Sequence, residues 1–315
     1  MLGEAIAAGR TADVVDRELE AAERAAIQIV TLVDAAYPSL LREIDDPPLV
    51  LYARGRLPID TQLTVGIVGT RRGTQYGKVV AARLASQLAM KGVIVVSGMA
   101  AGIDTAAHQA TLDVGGHTVA VLGCGLDVPY PKRNHPLFDR VASEGTALSE
   151  YPLGTKPAKW TFPQRNRILA GLCRGVVVVQ APERSGSLIT ARLALEQGRE
   201  VFAVPGNITT QASLGSNGLL RQGAKLVEGV EDVLEEFPDL RGMAHREVEA
   251  AAAHDAGLGE RERRVYELLG LEPVHIDDII ARADLSPTEA SHVLLLLQLE
   301  DLIVEADGGR YVRRS

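Results

Sequence analysis

The stretch Lys156-Pro157-Ala158-Lys159-Trp160-Thr161-Phe162-Pro163-Gln164-Arg165-Asn166-Arg167 gathers four cations, the only Trp of the chain and one of its four Phe. Cations take phosphates and an aromatic face takes a base, so this mixture suits a single nucleic-acid strand held without sequence reading, at ~1–3 kcal/mol per stacked base. The same residues also read as a loop anchored by its aromatics, with solvated cations.

Three glycine-rich loops could add anion contacts. In Gly66-Ile67-Val68-Gly69-Thr70-Arg71-Arg72-Gly73 the spacing is neither GxGxxG nor GxxxxGK[ST]. Its amides and a following helix N-terminus can still face an anion, with Arg71 adding charge; a turn that needs glycine for its backbone is the alternative. Ser97-Gly98-Met99-Ala100-Ala101-Gly102-Ile103-Asp104 is a second such loop, with Asp104 expected to cap a helix starting at Thr105. His108, four residues on, reads either as catalytic or as a packed helical histidine. Ser185-Gly186-Ser187 is the third, offering hydroxyls and amides at a helix start, with capping by Ser187 as the plainer reading.

Short Val- and Ile-rich runs must position these loops: Val65–Val68, Val93–Val96, Val119–Leu122, Val176–Val179 and Val201–Val204. Helical spacing fills Lys78–Met90, Thr105–Leu112 and Leu188–Gln197. Strands buried on both faces and alternating with helices predict an α/β fold, a Rossmann-like doubly wound parallel sheet. Ligands of such sheets bind beyond the carboxyl ends of the strands, where the three loops lie. Residues 1–62 read as a short helical N-terminal segment and lead-in, 63–240 as the Rossmann-like domain and 241–258 as a linker. In residues 259–315, helical patterns at Glu260–Leu269, Ile276–Ala283 and Ser286–Leu299 precede a hairpin signal around Asp307-Gly308-Gly309, which predicts a winged helix-turn-helix.

The net charge of −8 over 315 residues conceals a sharp asymmetry. Residues 65–230 carry 18 Lys and Arg against 10 Asp and Glu, a net of +8, while residues 1–64 hold 6 against 11 and residues 231–315 hold 9 against 20. A basic centre between acidic ends keeps a polyanion as a candidate ligand. No apolar run approaches the ~20 residues of a membrane span and no signal-like start is visible, so a soluble cytoplasmic protein is expected. Cys124 and Cys173 have no CxxC spacing and the seven His are scattered, so neither a disulfide framework, a metal site nor a cofactor is expected.

The blocks GIVGTR (66–71), SGMAAGID (97–104), FPQRNRILAGL (162–172), SGSLIT (185–190), REVFAVPG (199–206) and GSNGLLRQGA (215–224), led by DDPPLVLY (45–52), resemble the DNA processing protein A (DprA/Smf) family of bacteria. The resemblance implies a homodimer that binds single-stranded DNA without catalysis. It also implies protection of incoming DNA and loading of RecA recombinase onto strands coated by single-strand binding protein during natural transformation. Carried over by motif, the DNA contacts are Arg71, Lys159 and Phe162, supported by Gly69, Thr70, Ser97, Gly98, Gly102, Gly186 and Ser187, with Arg165, Asn166 and Arg167 shaping the site. Two features depart from the family pattern. The N-terminal segment is short for an added DNA-binding module, and Ser286–Leu299, the presumed recognition helix, carries Glu289 and no cation, which leaves duplex DNA or a protein as its partner. Two rivals remain: a nucleotide hydrolase on the same fold, which lacks a PGGxGTxxE-type loop here, and a nucleotide-sensing regulator that reads duplex DNA.

Overall fold

Valines 176 to 179 point alternately to opposite faces of one sheet, so each face needs its own apolar cover. Val176 and Val178 pack with Val68, Val96, Leu169 and Ala191, whereas Val177 and Val179 pack with Val65, Ile67, Leu84, Val95 and Phe202. These two cores enclose the central strands, as continuous Val and Ile runs require. The computed structural model describes residues 11–57, 62–238, 260–269, 274–283, 285–299, 302–306 and 308–313. The expected linker, 241–258, lies outside them. The chain divides into two units, Met1–Ala244 and His245–Ser315.

In the first unit, strands β1 (Gln28–Thr31), β2 (Val50–Gly55), β3 (Thr64–Gly69), β4 (Ile94–Ser97), β5 (Thr118–Val121), β6 (Thr146–Ser149), β7 (Gly175–Gln180), β8 (Glu200–Ala203) and β9 (Lys225–Leu226) form one sheet in the order β1-β2-β6-β5-β4-β3-β7-β8-β9. From β6 to β9 every pair is parallel; β1 and β2 add antiparallel at one edge. The chain steps outward from β3 to β6, then crosses to the other side of β3 at β7. The order therefore reverses between β3 and β7, and the sheet opens a crevice at their carboxyl ends. Helices α1 (Thr11–Arg24), α2 (Ser39–Arg42), α3 (Gln75–Met90), α4 (Ile103–Asp113), α5 (His135–Glu144), α6 (Thr161–Gly171), α7 (Gly186–Glu196), α8 (Leu214–Arg221) and α9 (Val230–Leu234) complete the unit.

The N-terminal part differs from the sequence expectation. Among the described residues up to 45, only Thr11–Arg24 forms a long helix; Ala26, at φ 52°, turns the chain out of it, and Gln28–Thr31 pairs with β2. Ile27, Val30, Leu51 and Ala53 are buried. The lead-in is thus built into the main sheet rather than set apart from it, because the β-branched Ile29-Val30-Thr31 gains more from a sheet edge than from prolonging a helix.

The second unit is the expected winged helix. Helices α10 (Glu260–Leu268), α11 (Ile276–Ala283) and α12 (Pro287–Leu299) bury Val265, Ile279, Val293, Leu294 and Leu297 together with Ile303. Strand β12 (Arg310–Arg313) lies between β10 (Val274–His275) and β11 (Ile303–Ala306), with Gly308 at φ 79° and Gly309 at φ 69° in the turn. Glu289, conspicuous in the sequence as an acid on α12, works locally. It accepts from the Ser286 N–H at 3.0 Å and hydroxyl at 2.7 Å, the Ser286 hydroxyl accepts from the Glu289 N–H, and Arg261 pairs with its other oxygen at 3.0 Å. This is a capping box with a counter-charge.

One close approach fixes the crevice. Gly102, with φ 87° and ψ −117°, brings the loop after β4 against the loop after β3; a Cβ there would press on the Thr70 carbonyl oxygen and lie 2.8 Å from the Arg71 carbonyl carbon. That backbone region is open essentially only to glycine. We expect Gly102→Ala to destabilise the first unit by roughly 2 kcal/mol or more, read as a lowered urea midpoint; an unchanged midpoint would show that the two loops separate freely.

Candidate functional site

A groove of about 670 Å³ occupies the carboxyl ends of β3 and β7. Gly69–Arg72 reach it from the loop after β3, Pro157–Asn166 from the entry to α6, and Pro182–Thr190 from the loop after β7 and the start of α7. The Thr70 N–H donates to the Gln180 carbonyl at 2.7 Å, which pins the first of these loops to the end of β7. Ser185 caps α7, its hydroxyl accepting from the Ser187 N–H at 3.3 Å and lying 2.7 Å from the Ser187 hydroxyl. The cap expected at Ser187 therefore falls two residues earlier. The positive end of an eleven-residue helix opens on the groove.

Arg71, Lys159 and Arg184 line the groove, all exposed, and among the described residues none has an acidic partner within 4.0 Å. Some cations elsewhere are committed: Arg140 bridges Asp113 and Glu144, Lys225 bridges Glu235 and Glu236, and Arg167 is paired with Glu150 at 2.6 Å and Asp46 at 2.9 Å. Arg71 is ordered by an aromatic ring instead, its Cζ lying 5.0 Å from the centroid of Phe162. With Arg72, likewise exposed and without such a partner, Arg71, Lys159 and Arg184 make four free cations beside a helix N-terminus, an arrangement that suits a polyanion.

Beneath the groove the charges are buried. Arg165, 4 % exposed, donates from Nη1 to the carbonyl oxygens of Gly98 and Val121, and its Nε has no hydrogen-bond partner among the described residues. Asp104, 6 % exposed, accepts from the N–H groups of Gly98 at 3.1 Å and Ala100 at 3.3 Å. It is therefore not the helix cap expected from sequence: α4 starts at Ile103, and the Asp104 carboxylate folds back to the preceding loop. Burial pushes its pKa up to about 6, against the opposing pull of Arg165, the two amides and Arg71. Gly98 makes the approach possible, since a Cβ there would lie 2.7 Å from Arg165 Nη2 and 2.8 Å from Asp104 Oδ2.

His108 proves to be a packed strut. Its Nδ1 is 2.7 Å from the Thr118 hydroxyl, which donates to the Val95 carbonyl and so must accept the imidazole proton; Nε2 accepts from the Met99 N–H at 3.4 Å. Burial pulls its pKa down to about 3, keeping the ring neutral.

The residues singled out from the sequence thus divide. Gly69, Thr70, Arg71, Lys159, Phe162, Arg165, Asn166, Gly186 and Ser187 line the groove, and Asn166 also ties α6 to α7 by donating to the Gly186 carbonyl at 3.3 Å. Gly98 lines a smaller adjoining recess. Ser97 is fully buried, its hydroxyl donating to the Ile67 carbonyl at 2.6 Å, so it braces β4 against β3. Gly102 acts through its backbone, and Arg167 is spent on Glu150 and Asp46, tying α6 to β6 and the lead-in. Trp160, 60 % exposed, packs edge-on against Tyr151 and is not among the groove-lining residues. Arg72, Tyr130 and Arg184 line the groove without having been singled out. Arg184 follows a strand at its carboxyl end, the one signal that could have marked it.

A Rossmann-like sheet with a cationic groove at its switch point, followed by a winged helix, defines a fold class rather than one protein. Residues 28–238 match the DNA recombination-mediator protein A family and residues 249–309 match the DprA winged helix domain, and the chain belongs to that family. It is 40 % identical over 322 residues to the putative DNA processing protein DprA of Mycobacterium tuberculosis, spanning 98 % of this chain and 82 % of that one. Among solved structures it resembles DprA of Streptococcus pneumoniae, with a TM-score of 0.64 and 46 % identity over 67 % of this chain and 74 % of that one. It also resembles DprA of Helicobacter pylori, a protein described for its single-stranded DNA binding mode, with a TM-score of 0.60 and 33 % identity over 67 % of this chain and 96 % of that one.

The raised pKa of Asp104 gives a signed expectation. Between its ordinary value of 3.8 and about 6 the native state holds the proton more tightly than the unfolded chain, so the contribution of Asp104 to stability is full below about pH 4 and falls as pH rises through 6. Asp104→Asn cannot charge. Its stability relative to the wild type should rise between about pH 4 and 6, by up to about 3 kcal/mol, and stay level above 7. Urea midpoints across that range check this, and a difference independent of pH would contradict it.

Proposed function

We propose that this protein binds single-stranded DNA in the groove, as a non-enzymatic mediator of DNA processing. Phosphates would sit on Arg71, Lys159 and Arg184 and on the first amides of α7. The observation that carries the reading is the set of four exposed cations, Arg71, Arg72, Lys159 and Arg184, without acidic partners among the described residues, at the switch point of the sheet. The family relationship supports it, as does the H. pylori relative described for single-stranded DNA binding. By the same relationship, the role is to protect incoming strands and pass them to RecA recombinase in exchange for single-strand binding protein during natural transformation, with the protein acting in the cytoplasm as a homodimer. A groove this small grips few nucleotides, so linking two copies would raise avidity through effective concentration.

The hydrolase reading has less to support it. Asp104 is the one carboxylate among the groove-lining residues, and it is clasped by the amides of Gly98 and Ala100 rather than presented to a substrate. In the described part of α12, Glu289 is engaged in capping and no cation is present, which favours single strands over duplex DNA as the principal ligand.

Fluorescence anisotropy of a labelled oligo-dT tests the reading. The Arg71→Ala/Lys159→Ala double variant should bind at least roughly ten-fold more weakly, and the slope of log K against log salt should shrink by ~0.7 for each phosphate that the variant no longer neutralises. Undiminished binding by the double variant, or preference for a duplex competitor, would overturn it.

A further inference from the structure

Phe162, the ring that the sequence offers for base stacking, already has a partner in Arg71, whose guanidinium lies over it. Phe162 is also half-buried near Gly123, where a Cβ would come within 3.1 Å of its Cδ1. Tyr130 stands beside it, with ring centroids 5.7 Å apart and planes at 43°, and 42 % of Tyr130 is exposed. Next to this pair lies a second recess of about 150 Å³, whose lining includes Arg71, Arg72, Gly98, Tyr130, Arg133 and Phe162 and no acid. Arg71, Arg72, Tyr130 and Phe162 line both the recess and the groove, so the two are continuous. Arg72 and Arg133 are exposed, and among the described residues neither has an acidic partner within 4.0 Å.

A recess that joins the groove across an exposed ring and offers two further free cations has the alternation of aromatic face and positive charge that a strand's bases and phosphates require. We propose that it is a further nucleotide subsite. The strand leaves the groove over Tyr130, whose ring takes the base, and Arg133 with Arg72 takes the phosphate that follows. Phe162 serves as the platform that holds the Arg71 guanidinium in place, which reduces the side-chain freedom Arg71 gives up on meeting a phosphate. The inference rests on the reading of the groove as the single-strand site and assigns Tyr130, Arg72 and Arg133 roles in it.

The test measures the affinity of the full-length protein for oligo-dT and for an abasic oligonucleotide of the same length, in the wild type and in Tyr130→Leu, Tyr130→Phe and Arg133→Ala. Thermal melts accompany each variant to confirm folding. Tyr130→Leu should weaken oligo-dT binding roughly ten-fold and leave abasic binding unchanged, and Tyr130→Phe should restore wild-type affinity. Arg133→Ala should weaken both oligonucleotides and reduce the salt slope by ~0.7. If Tyr130→Leu binds oligo-dT as the wild type does, or weakens the abasic strand equally, the subsite is refuted. Should that happen while Arg71→Ala/Lys159→Ala still abolishes binding, the groove stands without the subsite; if the wild type fails to bind oligo-dT, both fall.

Discussion

Arg165 reaches from α6 under the loop after β4, donating to Gly98 and Val121, beside a carboxylate that holds the amides of the same loop. Two opposite charges, 4 % and 6 % exposed, lie beneath a groove of further cations. Each is costly to bury, and the pull of Arg165 on Asp104 opposes, without cancelling, the upward push that burial gives the Asp104 pKa. The hydrogen bonds from Arg165 to the Gly98 and Val121 carbonyls join the ends of β4 and β5 to the helix that carries Phe162 and Asn166. Above this floor, Arg71, Arg72, Lys159 and Arg184 bring exposed positive charge to the groove.

Several cations are already engaged in the scaffold. Arg140, Arg167, Arg199 and Lys225 lie near carboxylates, and Arg165 is enclosed by carbonyls. Arg71, Arg72, Lys159 and Arg184, exposed and with no acidic partner within 4.0 Å among the described residues, line the groove next to the N-terminus of α7. A chain with a net charge of −8 can in this way present a locally positive surface to a polyanion while its acidic segments maintain solubility.

The α/β class, the five central strands and the winged helix were legible because their signals are local: Val-rich runs sized to buried strands, helical spacing between them, and a Gly-Gly turn between two short strands. Strands β1, β2, β6 and β9 were not: β1 is an edge strand that looks like a helix flank until its partner is known, and the other three lack a Val- and Ile-rich run like those of the five. Within the site, Arg71 and Lys159 could be picked out because a cation in a loop at the sheet's carboxyl edge has few other duties. Arg167 and Ser97 could not be sorted, because their partners Glu150 and Ile67 are distant in sequence. Asp104 looked like a helix cap for a related reason: its carboxylate bonds backward across the turn, which sequence spacing alone does not reveal.

The central claim is that the switch-point groove, rather than the winged helix, holds the strand. Hydrogen–deuterium exchange with and without oligo-dT measures this directly. The account predicts slowed exchange in peptides covering Gly69–Arg72, Ala158–Asn166 and Arg184–Thr190, with no change in Ile303–Arg313. Protection confined to His245–Ser315, with the groove peptides unaffected, would contradict it.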